Sequence, residues 1–343
     1  MPGSPLAVEM LHTILTRLLT ANGFFQYDAH TIADRLLDAE LRGRPDFGAA
    51  LALRILTAVD HGDCDPRGRL LSLHTTATIT AYDGSRAAGP VAATKAMQEA
   101  IQKARTAGGI AAVTVKNSQT LGAAGPYAEL AAREGLIGLC ITNTGSASVI
   151  APHGQAAAVG NNAFAWAIPV QNSAPFVLDS ACGACSWSTI ARHRADGTPL
   201  AQGTAVDAKG NPTVNALEAA WLLPFGDAKG FGLAFLCGIL AGPLAGGKTP
   251  RHKARSDSAD SSEHFCLVID PAPFTDLNKF DQELRLTIDE IHNLPNSTGT
   301  TRLPGDRAAA SCEKFRQSGI TLRESVAAEL KARAAKKKID VGW

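Results

Sequence analysis

The loop between residues 117 and 125 contains residue types that could bind a phosphate group. Asn117–Gly125 is rich in glycine and alanine, follows the apolar run Ile110–Val115 and precedes Pro126, a residue that favours the first turn of a helix. Backbone N–H groups in such a loop can approach phosphate closely. Because the loop lacks the G-x-G-x-x-G pattern of dinucleotide-binding folds, its spacing is compatible both with a nucleotide site and with a simple connection.

Cys182 and Cys185 form a C-x-x-C pair, which raises a redox or a metal-binding interpretation. A second C-x-x-C pair at the spacing of a zinc site is missing from the sequence, and the remaining cysteines and histidines show no ligand pattern. We therefore predict that the protein has no metal site.

The spacing of apolar residues predicts an α/β chain that begins with helices. Predicted helices cover residues 11–19, 28–41, 49–59, 90–105, 126–134, 230–240 and 277–292, with a last one from about Leu322. Predicted strands cover residues 76–80, 110–115, 136–142, 176–179 and 265–270. Asp28 is predicted to cap the second helix, and residues 248–262 are predicted to form a surface loop because they are polar.

Composition excludes several classes of protein. The chain has 343 residues, 45% of them apolar, and 33 basic against 32 acidic side chains, so it lacks the charge excess of a nucleic-acid or membrane-surface protein. We find no apolar run near the roughly 20 residues of a membrane span and no signal peptide. Seven scattered cysteines favour a reducing compartment. The predicted location is the cytoplasm, without nucleic-acid or membrane partners.

An ordered set of short segments extends over nearly the whole chain. They are residues 39–43, 62–67, 117–125, 142–143, 151–154, 160–162, 177–179, 222–232, 268–271 and 302–307. In order and spacing this set resembles the malate/L-lactate dehydrogenase family, which also contains ureidoglycolate dehydrogenase and the Δ1-piperideine-2-carboxylate reductases. The resemblance implies an NAD(P)-dependent oxidoreductase on a family-specific α/β fold distinct from Rossmann, working as a homodimer with its active site at a domain cleft.

The resemblance also implies an intertwined organisation. Residues 1–115 would form the helical and strand part of a substrate and dimerisation domain, 116–262 the cofactor-binding domain, and 263–343 a return to the first domain. The residues that would bind the cofactor are Thr120, Leu121, Gly122, Ala123, Ala124, Asp179, Ser180, Ala181, Lys229, Leu303, Pro304, Gly305 and Arg307. NADPH is favoured over NADH, although the Arg-Gly pair common in NADPH-using members is here Trp187-Ser188.

The chain departs from the family where the family does its chemistry. Where members have Ser-His-Gly, this sequence has Asp46-Phe47-Gly48, and the arginine that binds the substrate carboxylate is replaced by Leu51. The second family histidine is replaced by Thr120, and a family threonine by Asn161. The usual acid/base histidines and the carboxylate-binding arginine are therefore missing together.

Asp46 is the main candidate for a catalytic group. Alcohol oxidation needs a base to accept the hydroxyl proton, whereas a protonated C=N group is already electrophilic. A carboxylate at position 46 could stabilise that cation or relay a proton; the alternative is that Asp46 caps the helix predicted from about Ala49. Both interpretations stay open.

Other candidates carry similar alternatives. Thr120 could contact substrate or only the loop backbone, His153 could be a displaced acid/base group or a surface residue, and Arg54 could replace the lost arginine or be merely exposed. Lys229 is the retained charged residue that we expect to act in catalysis and beside the cofactor. Phe47, Arg54 and Asn161 are the expected substrate-binding residues.

We therefore predict an NAD(P)H-dependent reductase of a C=N bond, as in a cyclic imine or ketimine, in a small amino-acid-like substrate of a biosynthetic or catabolic route. One alternative is a 2-hydroxy-acid or 2-oxo-acid dehydrogenase with relocated catalytic groups. The other is a catalytically inactive homologue that binds a partner.

Overall fold

Helices and strands alternate along the chain in a computed structural model that describes residues 5–253, 261–296, 299 and 301–342. The helices are α1 Val8–Ala21, α2 Gln26–Leu41, α3 Ala49–Asp60, α4 Gly89–Thr106, α5 Gly125–Arg133, α6 Trp187–Asp196, α7 Ala228–Leu240, α8 Leu277–His292, α9 Asp306–Ser318 and α10 Glu324–Lys336. The strands are β1 Leu71–Thr75, β2 Ile79–Asp83, β3 Ile110–Ser118, β4 Ile137–Asn143, β5 Val149–Ile150, β6 Ala157–Val159, β7 Phe164–Ile168, β8 Phe176–Ser180, β9 Ala205–Val206, β10 Pro212–Thr213, β11 Trp221–Leu222 and β12 Ser262–Ile269.

Seven strands form the main sheet in the order β1-β2-β3-β12-β4-β7-β8. Only β2 and β3 pair in parallel, and all other neighbours are antiparallel. Strand β12 lies between β3 and β4, so the β3–α5–β4 unit is not the adjacent parallel unit of a Rossmann fold. This confirms the predicted non-Rossmann α/β class. The predicted domain boundaries fall inside β3 and at the first residue of β12, so the sheet combines strands from all three predicted ranges.

The buried apolar side chains form three cores. One packs α1, α2, α3 and α10 together through side chains such as Leu15, Ile32 and Leu330. A second lies under α4 and α5, and a third lies between the main sheet and the small sheet β10-β9-β11-β5-β6. The first core joins the two ends of the chain, which fixes α10 beside the N-terminal helices.

Several local predictions were wrong. Of the predicted strand at residues 76–80, Ile79 and Thr80 are the start of β2, whereas residues 76–78 form a turn in which the Thr76 hydroxyl accepts the Ile79 N–H at 3.0 Å. Asp28 lies inside α2 and pairs with Lys95 at 2.9 Å instead of capping the helix. Helix α9 was not predicted, since none of its residues is buried and it shows no apolar stripe.

The segment predicted as a surface loop, residues 248–262, also behaves differently. It includes the buried side chain of Lys253, and Ser262 is the buried first residue of β12. Residues 254–260 of this prediction lie outside the described residues.

One segment, Ala228–Ala245, is apolar enough and long enough by composition to be a candidate membrane span, with a mean hydropathy of 1.5. The structure divides it into α7, of 13 residues, and a separate short turn at Pro243–Ala245. A helix of that length extends roughly 20 Å, less than the roughly 30 Å hydrocarbon core of a bilayer. Helix α7 is therefore too short to cross a bilayer, and a membrane span does not explain its exposed apolar side chains.

Candidate active site

The turn that carries Asp46 and Phe47 packs directly against the loop after β3. It is a short helical turn, Pro45–Phe47, just before α3. A Cβ atom added at Gly122 would lie 2.8 Å from Cδ2 of Leu51 and 3.5 Å from Cβ of Phe47. Gly122 also has a φ of +83°, which favours glycine. The structure therefore brings together the predicted catalytic turn and the predicted cofactor loop.

The start of helix α4 packs against the backbone of this loop. A Cβ atom added at Gly89 would lie 2.2 Å from the Thr120 carbonyl oxygen, so the start of α4 touches the loop backbone. Leu121 to Ala124 are buried, while Thr120 is half-buried and its hydroxyl accepts the Gly122 N–H at 3.3 Å. This hydrogen bond supports the backbone role that the sequence left open for Thr120.

Asp46 forms an ion pair that the sequence did not suggest. Its Oδ1 lies 2.6 Å from Nη2 of Arg323, the residue just before α10. The side chain of Asp46 is one-third exposed, and that of Arg323 is half exposed. The structure thus places a carboxylate and a guanidinium together at the solvent-facing side of the candidate site.

The prediction that Asp46 caps α3 is wrong, because Glu40 does so. Oε1 of Glu40 accepts the Ala49 N–H at 2.8 Å, and a Cβ atom at Gly48 would collide with the Glu40 carboxyl group. Burial raises the pKa of Glu40 to about 7, with the charge of Asp46 adding to the effect and Arg323 opposing it. Sequence reasoning missed this residue although it stands in the segment 39–43 used for the resemblance.

The raised pKa of Glu40 predicts a pH dependence of stability. Between the unfolded pKa near 4.5 and the folded pKa near 7, the folded protein holds a proton that the unfolded chain has lost. Stability should therefore fall as the pH rises from 5 to 7.5, with about 2 kcal/mol from this group. The Glu40→Gln variant should keep the hydrogen bond that caps α3. In urea unfolding at both pH values, its free energy of unfolding should no longer include the change contributed by Glu40. An unchanged difference between the two pH values would contradict the assignment.

Asp179 connects three parts of the site. Nη1 of Arg44 lies 3.1 Å from Oδ2 of Asp179, and Nη2 donates to the Asp179 carbonyl at 2.8 Å. Its carboxylate also accepts backbone N–H groups of Gly125 and Ala124 at the start of α5. Burial raises the pKa of Asp179, although these partners oppose the shift. Asp179 thus ties the turn before α3 to the predicted cofactor loop.

The predicted cofactor loop 303–305 lies at a cavity of about 510 Å³. Gly305 touches β8, since a Cβ atom added there would lie 2.8 Å from the Val177 carbonyl oxygen. Asp306 fixes the loop by accepting the Leu303 N–H at 2.7 Å and by contacting His292 at 2.8 Å. Arg307 is exposed beside it.

Charges in this cavity are largely balanced. Arg42 contacts Glu129 and Asp38, and Arg133 lies 2.9 Å from Glu129. Within the described part of the chain, Arg316 is the lining arginine for which no acidic partner is found.

The remaining predicted residues lie in separate surroundings. His153 is exposed in a turn between β5 and β6 with a φ of +58°, and Arg54 is exposed on α3. Lys229 is exposed in the first turn of α7. Asn161 uses its side chain to hold the 183–185 segment, accepting the Gly183 N–H at 2.6 Å and donating to the Cys185 carbonyl at 3.2 Å. Ser180 bonds the carbonyl of the next residue, Ala181, and both are half-buried.

The C-x-x-C pair consists of free thiols. Cys182 is buried and donates to the Asn162 carbonyl at 3.1 Å, and burial raises the pKa of Cys185 to about 11. Such thiols are poor nucleophiles near neutral pH. Across residues 5–253, 261–296, 299 and 301–342, no group of three His, Cys, Asp or Glu side chains could hold a metal ion.

A buried histidine supports the predicted cofactor loop from the sheet side. His264 on β12 lies 3.0 Å from the Thr142 hydroxyl and 3.3 Å from the Ser118 hydroxyl at the end of β3. Burial lowers the pKa of His264 to about 3, helped by the charge of Lys253, so the ring is neutral. Sequence reasoning missed it because a single histidine in an apolar strand has no ligand spacing.

The residues present fit an NAD(P) nucleotide in two respects. Among the described residues, Oδ1 of Asp179 is buried with no hydrogen-bond partner, and a carboxylate oxygen is a suitable acceptor for a ribose hydroxyl. Strand β8 also links the two predicted contact regions, because Val177 touches Gly305 while Asp179 reaches the loop before α5.

Comparisons with known proteins agree with this geometry. The family model described as malate/L-lactate dehydrogenase matches residues 6–331. A malate dehydrogenase of Pyrococcus abyssi is 32% identical, covering 94% of this chain and 92% of its own length. A malate/(S)-sulfolactate dehydrogenase of Methanothermus fervidus is 30% identical, covering 98% of both. The solved structure of a sulfolactate dehydrogenase from Methanocaldococcus jannaschii, 26% identical, superposes with a TM-score of 0.91 over 98% of both chains.

Proposed function

We propose that this chain, which belongs to the malate/L-lactate dehydrogenase family, reduces a C=N bond in a small amino-acid-like substrate. Family membership makes it an oxidoreductase, and dehydrogenases of this family use NAD(P). The finer assignment rests on one observation. Beside the predicted cofactor loop, the chain presents a carboxylate at Asp46 and the non-titrating side chains of Phe47 and Leu51.

A protonated imine suits such a site because it brings its own proton. Reduction of a ketone needs a donor for the new hydroxyl, whereas an iminium nitrogen is already protonated and becomes a neutral amine after reduction. The carboxylate of Asp46 would attract the iminium N–H group, and Phe47 would exclude water from the face of the substrate. Substrate reduction then requires no acid/base histidine.

The nicotinamide, when bound, supplies the hydride. We assign its binding to the 120–124 loop, to Asp179, Ser180 and Ala181 on and after β8, and to the loop 303–305 with Arg307. Arg316 would face the phosphates across the cavity, and we favour NADPH over NADH. Lys229 is assigned to the cofactor side of the site in the assembled protein.

A dehydrogenase of 2-hydroxy or 2-oxo acids is the second candidate, and Glu40 is the observation that favours it. Its carboxyl group has a pKa near 7, raised by burial, and lies behind the turn that carries Asp46 and Phe47. It could take over proton transfer from the missing histidines.

Nucleotide binding followed by turnover separates the candidates. We expect NADPH to raise the melting temperature of the purified protein more than NADH does. With NADPH bound, we expect oxidation of the nucleotide by a five- or six-membered cyclic imine to exceed that by a 2-oxo acid of similar size. Preference for the 2-oxo acid would favour the second candidate. Failure to bind either nucleotide would contradict both and favour an inactive binding homologue.

We further propose that a second copy of this chain covers α7. Phe235 and Leu236 on α7 and Leu244 after it are each more than half exposed, and large exposed apolar surfaces usually mark contact sites between proteins. Lys229 lies on the same helix, so the contact would also enclose its surroundings. The homodimer would belong in the cytoplasm, where the seven free thiols stay reduced.

Disruption of the α7 surface should change the oligomeric state. Phe235→Glu places a charge in the proposed contact, and we expect light scattering after gel filtration to report a monomer instead of a dimer. Phe274→Glu, at a phenylalanine in the turn after β12 that is also more than half exposed, should leave the dimer intact. A dimer that survives Phe235→Glu would place the interface elsewhere.

A further inference from the structure

The position that lost the family arginine cannot be used for substrate binding in this chain. Leu51 is fully buried, and its Cδ2 packs under Gly122 of the predicted cofactor loop. A cation for a substrate carboxylate must therefore come from another element beside the Pro45–Phe47 turn. Arg54, the alternative from the sequence, lies one turn further along α3 on its exposed side.

Arg323 is the cation that the fold brings to this turn. Helix α10 runs alongside α3 in the same direction, because Arg323 meets Asp46 before α3 and Arg333 meets Asp60 at its end, 2.9 Å away. Val326 and Leu330 bury the inner face of α10 in the N-terminal core. The position of the Arg323 backbone is therefore set by packing and does not depend on its ion pair.

The guanidinium of Arg323 retains unused donors. Asp46 contacts one of its two terminal nitrogens, the side chain is half exposed, and the described residues provide no further hydrogen-bond partner for it. A guanidinium has five N–H groups in a planar fork that matches a carboxylate. Arg323 can thus accept a second anion while it stays next to Asp46.

We infer that Arg323 is the carboxylate-binding residue of this site and that the Asp46–Arg323 pair receives a substrate with a cationic C=N group next to a carboxylate. The inference rests on the proposed function and adds the residue that would bind the substrate carboxylate. The substrate's iminium would face Asp46 and its carboxylate would face Arg323, so each charge of the pair gains an opposite partner. A cyclic imino acid protonated at nitrogen has this charge arrangement.

The pairing of both substrate charges with Asp46 and Arg323 also makes the site specific for one kind of substrate. A substrate with a carboxylate but no cation leaves Asp46 close to the bound anion, and like charges in contact disfavour binding. A cyclic imine without a carboxylate makes only the contact to Asp46. The Asp46–Arg323 pair therefore favours a zwitterionic substrate over a compound that carries only the carboxylate or only the iminium.

The test compares Δ1-piperideine-2-carboxylate with Δ1-piperideine, the same ring without the carboxylate. Arg323→Met should raise KM for the first substrate about 10- to 100-fold, the range expected for loss of a charged hydrogen bond. Neither kcat/KM for the second substrate nor the affinity for NADPH should change. Arg323→Lys should recover part of the loss, since lysine keeps the charge but not the fork.

Two further variants make the result decisive. Arg333→Met breaks the matched pair at the other end of α3 and α10, and should leave the ratio of the two KM values unchanged. If Arg54→Met changes that ratio and Arg323→Met does not, the inference is overturned. Equal losses on both rings after Arg323→Met would also overturn it, because they would indicate a structural role.

Failure of the proposed function would be visible separately. If the wild-type protein reduces 2-oxo acids instead of imines, the same ratio can be measured with a 2-oxo acid and the corresponding aldehyde. If no turnover occurs, calorimetric titration with the saturated cyclic amino acid replaces KM by Kd. If the wild-type protein binds this amino acid and the Arg323→Met variant does not, the result supports Arg323 as the carboxylate-binding residue. A wild-type protein that does not bind the amino acid overturns the inference.

Discussion

Lys253→Met should lower the free energy of unfolding by about 3–5 kcal/mol, because it leaves a buried carboxylate without its cation. Nζ of Lys253 lies 2.5 Å from Oε2 of Glu263, and the two side chains are only 3% and 5% exposed. The ammonium group also donates to the Ser261 and Thr144 carbonyls at 2.6 and 3.2 Å. Urea unfolding at pH 7.5 measures the loss.

A matched control separates burial from charge pairing. Arg105 and Glu134 form an ion pair at 2.6 Å in which both side chains are about half exposed. Arg105→Met removes the cation of that pair and should cost at most about 1 kcal/mol, as is usual for surface pairs. A loss for Lys253→Met no larger than for Arg105→Met would contradict the assignment of a buried pair.

The effect of Lys253→Met should also depend on pH. Burial raises the pKa of Glu263 and Lys253 opposes that shift, so removing the lysine raises the pKa further. The folded variant then holds a proton that the unfolded chain loses near pH 4.5, and its stability falls as the pH rises through this interval. The difference from wild type should therefore be larger at pH 8 than at pH 5, and adding Glu263→Gln should recover part of it.

Lys253 also illustrates why part of the fold could not be predicted. Residues 248–262 are polar, and polar runs usually form surface loops. Lys253 is buried because Glu263 supplies an anion and the carbonyl of Thr144, more than 100 residues away in the sequence, accepts one of its N–H groups. By contrast, the predicted helix at residues 277–292 coincides with α8, since its amphipathic pattern and its Asp276 cap are local signals.

In the candidate site, too, some residues could be predicted from the sequence, whereas others depend on contacts between distant parts of the chain. Asp46, Phe47 and the 120–124 loop could be identified because the chain departs from a known pattern at these positions. Their mutual contact follows from the structure, where Gly122 touches Phe47 and Leu51. Arg323 could not be anticipated, because its approach to Asp46 depends on the packing of α10 along α3, a contact between residues 277 positions apart in the sequence.

Asp46→Asn should lower kcat/KM for a protonated cyclic imine by about 10²–10³-fold while leaving the affinity for NADPH unchanged. The substitution keeps the size of the side chain and removes the charge that we propose faces the iminium. Because the carboxylate keeps the bound imine protonated, which is the form that accepts the hydride, the loss should appear in kcat and not only in KM. Steady-state kinetics with saturating NADPH and thermal shift with the nucleotide alone measure the two properties.

Asp46 and Arg323 can then be told apart, although they form one ion pair. Asp46→Asn should impair Δ1-piperideine and its 2-carboxylate alike, since both present an iminium, whereas Arg323→Met should impair only the carboxylate. Asp60→Asn breaks the matched pair with Arg333 and should leave kcat within about twofold, as expected for an exposed pair outside the site. An unchanged rate for Asp46→Asn would reduce Asp46 to an anchor for Arg323. Another group would then have to stabilise the charge of the iminium, and Glu40 behind the turn would be the next residue to test.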